Sequence, residues 1–204
     1  MITTIYLMRH SITERVNYLK DNDSLLVRNQ KQILTIDGEE LAKKVSNNEI
    51  FSDIDMVISS NYVRAMATAK YFTEDDKLNI VEDFGERKIG IDDYKDIPTD
   101  FCERQLNEDD YKIGQGESQK EVRERMSKAL LEVVNNNEGK TVLIVSHHTA
   151  IIFLLKKWCS IKNNKYLLYK DKVILENGCR NCETVKLLFK DGELIEIENM
   201  EVCE

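Results

Sequence analysis

Short apolar runs alternate with helical periods along most of the chain, and that alternation limits the folds open to it. Thr3 to Met8 reads as a strand. A helix is expected from about Asp37, where Asp37 and Glu40 have capping-box spacing. Met56 to Ser59 is a short buried strand, after which Ser60 is placed to cap a helix carrying Arg64, Thr68 and Tyr71. Leu78 to Val81 is another strand. Ser118 and Glu121 repeat the capping-box pattern and open a long amphipathic helix to about Val134. Thr141 to Val145 is a strongly apolar strand, and a helix follows His148. Val185 to Phe189 and Leu194 to Ile197 form a hairpin around Asp191-Gly192. This order implies an α/β fold: a mostly parallel central sheet with helices on both faces and a C-terminal hairpin. A length of 204 residues suits a single domain, 1–204.

Composition removes several function classes. The formal net charge of −8 disfavours nucleic acid as a partner, since backbone phosphates call for a surplus of Lys and Arg on one face. A small phosphorylated metabolite is not excluded, because a pocket needs only a few placed cations. No apolar run approaches the roughly 18 residues of a membrane helix; Ala150 to Leu155 is stopped by Lys156 and Lys157. Met1 to Leu7 has no basic lead-in, so no signal peptide is expected and the cytoplasm is the default location. The five cysteines (Cys102, Cys159, Cys179, Cys182, Cys203) are not a secreted disulfide framework. Cys179-Arg180-Asn181-Cys182 lacks the second ligand pair of a zinc site, and it precedes a strand rather than a helix. It reads as two unbridged thiols, and no metal or other cofactor is expected.

All three histidines fall where two strands end: His10 after the first strand, His147 and His148 after Thr141 to Val145. In a parallel sheet the carboxyl ends of strands are where functional groups collect. Arg9 stands beside His10 and offers a planar fork of donors suited to phosphate oxygens. A neutral histidine nitrogen can attack phosphorus near pH 7. Arg64 falls in the first turn of its helix, near unpaired backbone N–H groups. Glu86 supplies a carboxyl group. Taken singly, Arg64 reads as a solvated helix residue and Glu86 as a surface carboxylate.

Together these segments resemble the histidine phosphatases, the phosphoglycerate mutase-like superfamily. The family's R-H-G-x-T corresponds to Arg9-His10-Ser11-Ile12-Thr13, and its S-S-x-x-x-R-A-x-x-T-A to Ser59 through Ala69. Its L-x-E-x-x-x-G is similar to Phe84-Gly85-Glu86 with Gly90, its G-E-S to Gly116-Glu117-Ser118, and its S-H-G to Ser146-His147-His148. Leu34-Thr35-Ile36-Asp37-Gly38 looks like its L-T-x-x-G. The likeness runs in order over about residues 2 to 155.

What the resemblance implies is hydrolysis of small phosphomonoesters without a metal, through a phosphohistidine on His10. Arg9, Arg64 and His147 would hold the phosphoryl oxygens, and Glu86 would serve as acid and then base. Four departures stand out. Ser11 and His148 replace family glycines, and each is a candidate extra phosphate donor; Ser11 would be strained if its φ had to be positive. Val16 holds a place where the family often has Asn, with Asn17 next, so no role is carried over. Phe84 replaces Leu, with Glu82 and Asp83 as rivals to Glu86. Residues 92–116 are expected to cover the pocket as a lid. Their eight carboxylates (Asp92, Asp93, Asp96, Asp100, Glu103, Glu108, Asp109, Asp110) against Lys95, Arg104 and Lys112 lead us to expect a neutral or cationic leaving group. Phosphoglycerate mutase-type phosphotransfer and a catalytically silent phospholigand-binding regulator are the alternative readings. A homodimer stays open.

Overall fold

The first strand, β1 (Ile2–Arg9), is the one around which the sheet is built. In the computed structural model, which describes residues 1–14 and 23–202, it is followed by α1 (Leu25–Gln30) and α2 (Ile36–Ser46). Next come β2 (Met56–Ser59), α3 (Val63–Ala69), β3 (Leu78–Ile80), α4 (Phe101–Asn107) and α5 (Gln119–Asn136). The chain continues through β4 (Thr141–Ser146), α6 (His148–Leu155), β5 (Ser160–Lys162), β6 (Tyr166–Tyr169) and β7 (Lys172–Glu176). It closes with β8 (Thr184–Lys190) and β9 (Glu193–Asn199). The main sheet has the order β3-β2-β4-β1-β8-β9. Strands β1 to β4 pair in parallel, while β8 and β9 add the antiparallel hairpin.

Side-chain alternation explains why helices cover both faces. Ile5 and Leu7 of β1, with Val142 and Ile144 of β4, join a core made with α5 and α6. Tyr6, Met8, Leu143 and Val145 point the other way and pack with Val45 of α2 and Ala65 and Ala69 of α3. Among the described residues, no helix is long and apolar enough to cross a membrane.

The capping box at α5 forms in both directions. Ser118 Oγ accepts from Glu121 N at 3.2 Å, and the Glu121 carboxylate accepts from Ser118 N at 2.8 Å. Two other expected caps are corrected. Thr35, not Asp37, caps α2, its Oγ1 accepting from Gly38 N at 2.9 Å. Ser60 does not cap α3, whose N-cap is Tyr62 without a side-chain bond; Tyr71 falls in a 3-10 turn beyond the helix. Helices α1 and α4 and the separate antiparallel sheet β5-β6-β7 were not expected from the sequence.

Candidate active site

Because β1, β2 and β4 are parallel neighbours, their carboxyl ends open on one side of the sheet. His10 N donates to Ser146 O at 2.9 Å, and Ser60 N donates to Val145 O at 3.1 Å. Arg9, His10, Ser60 and His147 thereby meet, and Arg64 reaches them from the start of α3. His10, Arg64 and His147 are all buried.

The state of His10 can be read from its bonds. Nδ1 lies 2.7 Å from the Ser11 carbonyl, which can only accept, so Nδ1 carries the proton. Nε2 keeps its lone pair and accepts from Arg64 Nε at 3.0 Å. Burial pushes the His10 pKa well below the usual histidine range, and the Arg64 charge adds to it. His147 is held neutral by the same two causes in the same order. Ser60 Oγ accepts from Tyr62 N at 3.3 Å and lies 2.7 Å from His147 Nε2. With the Ser60 proton directed at Nε2, the ring proton is assigned to His147 Nδ1. It is buried and has no hydrogen-bond partner among the described residues, and Arg9 Nε is in the same condition. Arg9 is anchored by its NH1, which donates to Cys179 O at 2.7 Å. A neutral imidazole nitrogen therefore stands among the donors of two arginines and a second histidine. Such a cradle suits a tetrahedral anion.

Glu86 comes to the same place by a different route. Its Oε1 accepts from Arg87 N at 2.8 Å and Ala150 N at 3.0 Å, and its Oε2 from Thr149 N at 3.3 Å. The carboxyl group thus rests on the first turn of α6, directly after His147. Arg125 fixes the backbone that carries it, donating to Asp83 O at 2.6 Å, Gly85 O at 3.2 Å and Glu86 O at 3.3 Å. Glu117 in turn holds Arg125 at 2.7 Å, which gives the Gly116-Glu117-Ser118 segment a positioning task. The rival carboxylates Glu82 and Asp83 are exposed.

The two replaced glycines are accommodated without strain. Ser11 is not among the positive-φ residues, its N–H donates to Thr68 Oγ1 at 3.0 Å, and its hydroxyl is engaged by Gly38 O at 2.7 Å. His148 turns aside: Nδ1 is 2.9 Å from Cys179 O, and the ring lies against Gly178. Gly178 has φ +87°, and a Cβ there would fall 2.2 Å from His148 Cε1. Both side chains, expected as candidate phosphate donors, are thus engaged with backbone carbonyls. Val16 and Asn17 lie outside the described residues. The acidic tally of the 92–116 segment also reads differently in space. Asp93 pairs with Lys95, Glu108 with Arg104, Asp109 with Arg123 and Asp110 with Lys120.

Some supporting residues escaped sequence reading. Asn29 O of α1 accepts from Arg64 NH1, and Asn181 Nδ2 donates to His10 O at 3.1 Å. Asn181 and the Cys179 carbonyl come from the far end of the chain, in the Cys179–Cys182 segment whose pattern was read only for its thiols. Ser60 was inside a quoted motif but assigned to a cap. Cys102, Cys159, Cys179 and Cys182 form no disulfide, and burial pushes the Cys182 thiol up to about 11.

The lowered histidine pKa values have a thermodynamic consequence. In the unfolded chain both side chains take up protons as pH falls through their ordinary value of about 6.5, while the folded chain does not. Acid therefore favours the unfolded state. Stability should fall below pH 6.5 by up to about 1.4 kcal/mol per pH unit for each histidine. Urea unfolding at pH 7.5, 6.5 and 5.5 checks this, with His147→Asn giving a shallower decline. A flat profile would show that these rings accept protons in the folded state.

Several solved structures of similar fold are described as phosphatases. A phosphoserine phosphatase mutant from Entamoeba histolytica, in complex with phosphoserine, superimposes with a TM-score of 0.70 at 21% identity, covering 99% of this chain and 100% of that one. A mycobacterial glucosyl-3-phosphoglycerate phosphatase gives 0.70 at 16% identity, covering 98% of each chain. A putative α-ribazole-5'-phosphate phosphatase from Escherichia coli gives 0.66 at 15% identity, covering 97% of this chain and 96% of that one. The fold is thus that of the phosphoglycerate mutase-like phosphatases. The family model of the histidine phosphatase superfamily (branch 1) matches residues 5–194, and the chain belongs to that superfamily. No curated protein shows significant similarity to it.

Proposed function

We propose that this protein is a phosphatase that hydrolyses small phosphomonoesters through a phosphohistidine on His10. The observation that carries this reading is the His10 ring itself: Nδ1 is tied to a backbone carbonyl, and the lone pair of Nε2 faces Arg64. In the first step Nε2 attacks phosphorus in line, the N–P bond forms and the P–O ester bond breaks. The Arg64 Nε–H redirects its hydrogen bond from Nε2 to a phosphoryl oxygen and keeps its proton. Arg9 Nε and His147 Nδ1, both lacking partners among the described residues, take the others. Glu86 delivers its proton to the departing oxygen. In the second step water attacks phosphorus, gives its proton to Glu86 and releases His10 and inorganic phosphate. Fixed cations and donors do the charge stabilisation, so the reaction needs no metal. Residues 92–116 act as the cover of the pocket.

The test is hydrolysis of p-nitrophenyl phosphate and a panel of metabolite monophosphates with EDTA present. EDTA-resistant turnover is expected. Activity that requires an added divalent cation would overturn the metal-free mechanism. Folded protein without turnover would overturn the phosphatase reading and direct attention to mutase-type transfer.

A further inference from the structure

A cavity of about 260 Å³ lies against the far side of the Glu86 segment. Two of its lining residues touch the Glu86 carboxyl directly: Arg87, whose N–H donates to Oε1, and Thr149, whose N–H donates to Oε2. His148, the neighbour of His147, also lines it. A leaving oxygen protonated by Glu86 would sit at that carboxyl, and this cavity borders it through Arg87 and Thr149. Part of its wall is apolar, built from Leu106 of α4, Ile152 and Phe153 of α6, Ile161 of β5, Leu167 of β6 and Leu175 of β7, with Asn164, Tyr166 and Asn177 among the polar residues beside them. Its volume gives room for roughly a dozen non-hydrogen atoms at interior packing density, more than a three-carbon polyol requires.

The charges on its wall have one sign. Arg87 and Lys165 line the cavity, and no carboxylate side chain does. Lys165 is paired at 2.7 Å with Glu176, a half-exposed residue outside the lining. Arg87 NH1 donates to the neutral Gln105, its guanidinium lies 4.9 Å from the centre of the Phe101 ring, and its Nε has no partner among the described residues. With Lys165 countered by Glu176, Arg87 is the charge on this wall that would repel a cationic leaving group.

We propose that this cavity is the leaving-group site and that it selects phosphomonoesters of bulky, apolar, non-cationic alcohols of ring size, over small polyol and cationic amino-alcohol phosphates. The assignment rests on the phosphatase reading, with Glu86 as the acid, and it replaces the neutral-or-cationic expectation drawn from the acidic tally of the lid. Non-hydrolysable phosphonates separate binding from chemistry. Titration calorimetry on the wild-type protein should show 1-naphthylmethylphosphonate binding about 30-fold tighter than methylphosphonate, once ordering costs are set against apolar burial. 2-Aminoethylphosphonate should bind no tighter than methylphosphonate. Cys102, exposed on α4 and lining the cavity, offers a way to fill it without disturbing the core. Cys102→Trp should collapse the naphthyl preference to about threefold or less, and Ile161→Trp should do the same from the opposite wall. Equal affinity for the naphthyl and methyl compounds, or a preference untouched by both variants, would overturn the proposal. Hydrolysis of 1-naphthyl phosphate is followed in parallel. A strong preference in binding without turnover would keep the cavity assignment and sink the phosphatase reading instead.

Discussion

His10→Ala is expected to reduce kcat for p-nitrophenyl phosphate by about ten-thousand-fold or more, the scale seen when a covalent nucleophile is removed. The size follows from the part the proposed mechanism gives the ring in both half-reactions. In that mechanism Nε2 makes the bond that replaces the ester oxygen, and no neighbouring group can take over. His147 is the other histidine at hand, its ring centre 5.2 Å away, but its Nε2 is held by the Ser60 hydroxyl and its Nδ1 carries a proton. The phosphate cradle of Arg9, Arg64 and His147 stays in place in the variant, so phosphate binding should survive within a few-fold. The wild type, quenched during turnover, should carry an acid-labile and alkali-stable phosphoryl group, and His10→Ala should carry none. A variant that keeps more than about 1% of wild-type kcat would place the nucleophile elsewhere or make water the direct attacker.

How much of this was legible in the sequence depends on how local each signal is. Strands β1, β2 and β4 are short apolar runs with sharp ends, and their limits were read almost to the residue. The α5 capping box was equally plain, because Ser118 and Glu121 satisfy one another within a single turn. Thr35 and Ser60 were misread because serine, threonine and aspartate all make caps, and which one does so depends on where the helix starts. The β5-β6-β7 sheet was invisible for a different reason. Its strands are three to five residues long, and the tight turn between β6 and β7 uses Lys170 and Asp171 at positive φ, positions where Asn-Gly would be the recognisable signal. That sheet contributes three strands to the wall of the proposed leaving-group cavity, so the specificity of the site was the part least readable in advance.

The acidic lid shows the same limit in electrostatic terms. Eight carboxylates against three cations within 92–116 suggest a negative cover, yet the residues that neutralise Asp109 and Asp110 are Arg123 and Lys120, on α5 outside that window. A count along the chain cannot include partners supplied by folding. In the folded protein the charged side chains on the cavity wall are Arg87 and Lys165, both cationic. The placement of Arg9, His10, Arg64, Glu86 and His147 was more legible, since these residues follow strand ends at short intervals, and those strand ends were found.

The second large effect belongs to Glu86→Gln, and its signature is dependence on the leaving group. An alkoxide is a poor leaving group and needs a proton as the P–O bond breaks, whereas nitrophenolate departs with little help. The variant should therefore lose about a thousandfold in kcat for an alkyl phosphate and about tenfold or less for p-nitrophenyl phosphate. Glutamine is the informative replacement because it keeps the shape of the carboxyl group. Its oxygen can still accept from Arg87 N and Ala150 N, where Glu86 Oε1 does now. Its amide nitrogen, however, would face the Thr149 N–H that Oε2 now accepts. Two donors opposed in that way should lower stability by about 1–2 kcal/mol, a change that urea unfolding reads independently of turnover. The proposed second half-reaction also uses Glu86, as the base that takes a proton from water. If dephosphorylation becomes limiting in the variant, phosphohistidine should accumulate with p-nitrophenyl phosphate as substrate. Equal losses for alkyl and nitrophenyl esters would show that Glu86 only shapes the pocket, and the proton would then have to come from a group other than this carboxyl.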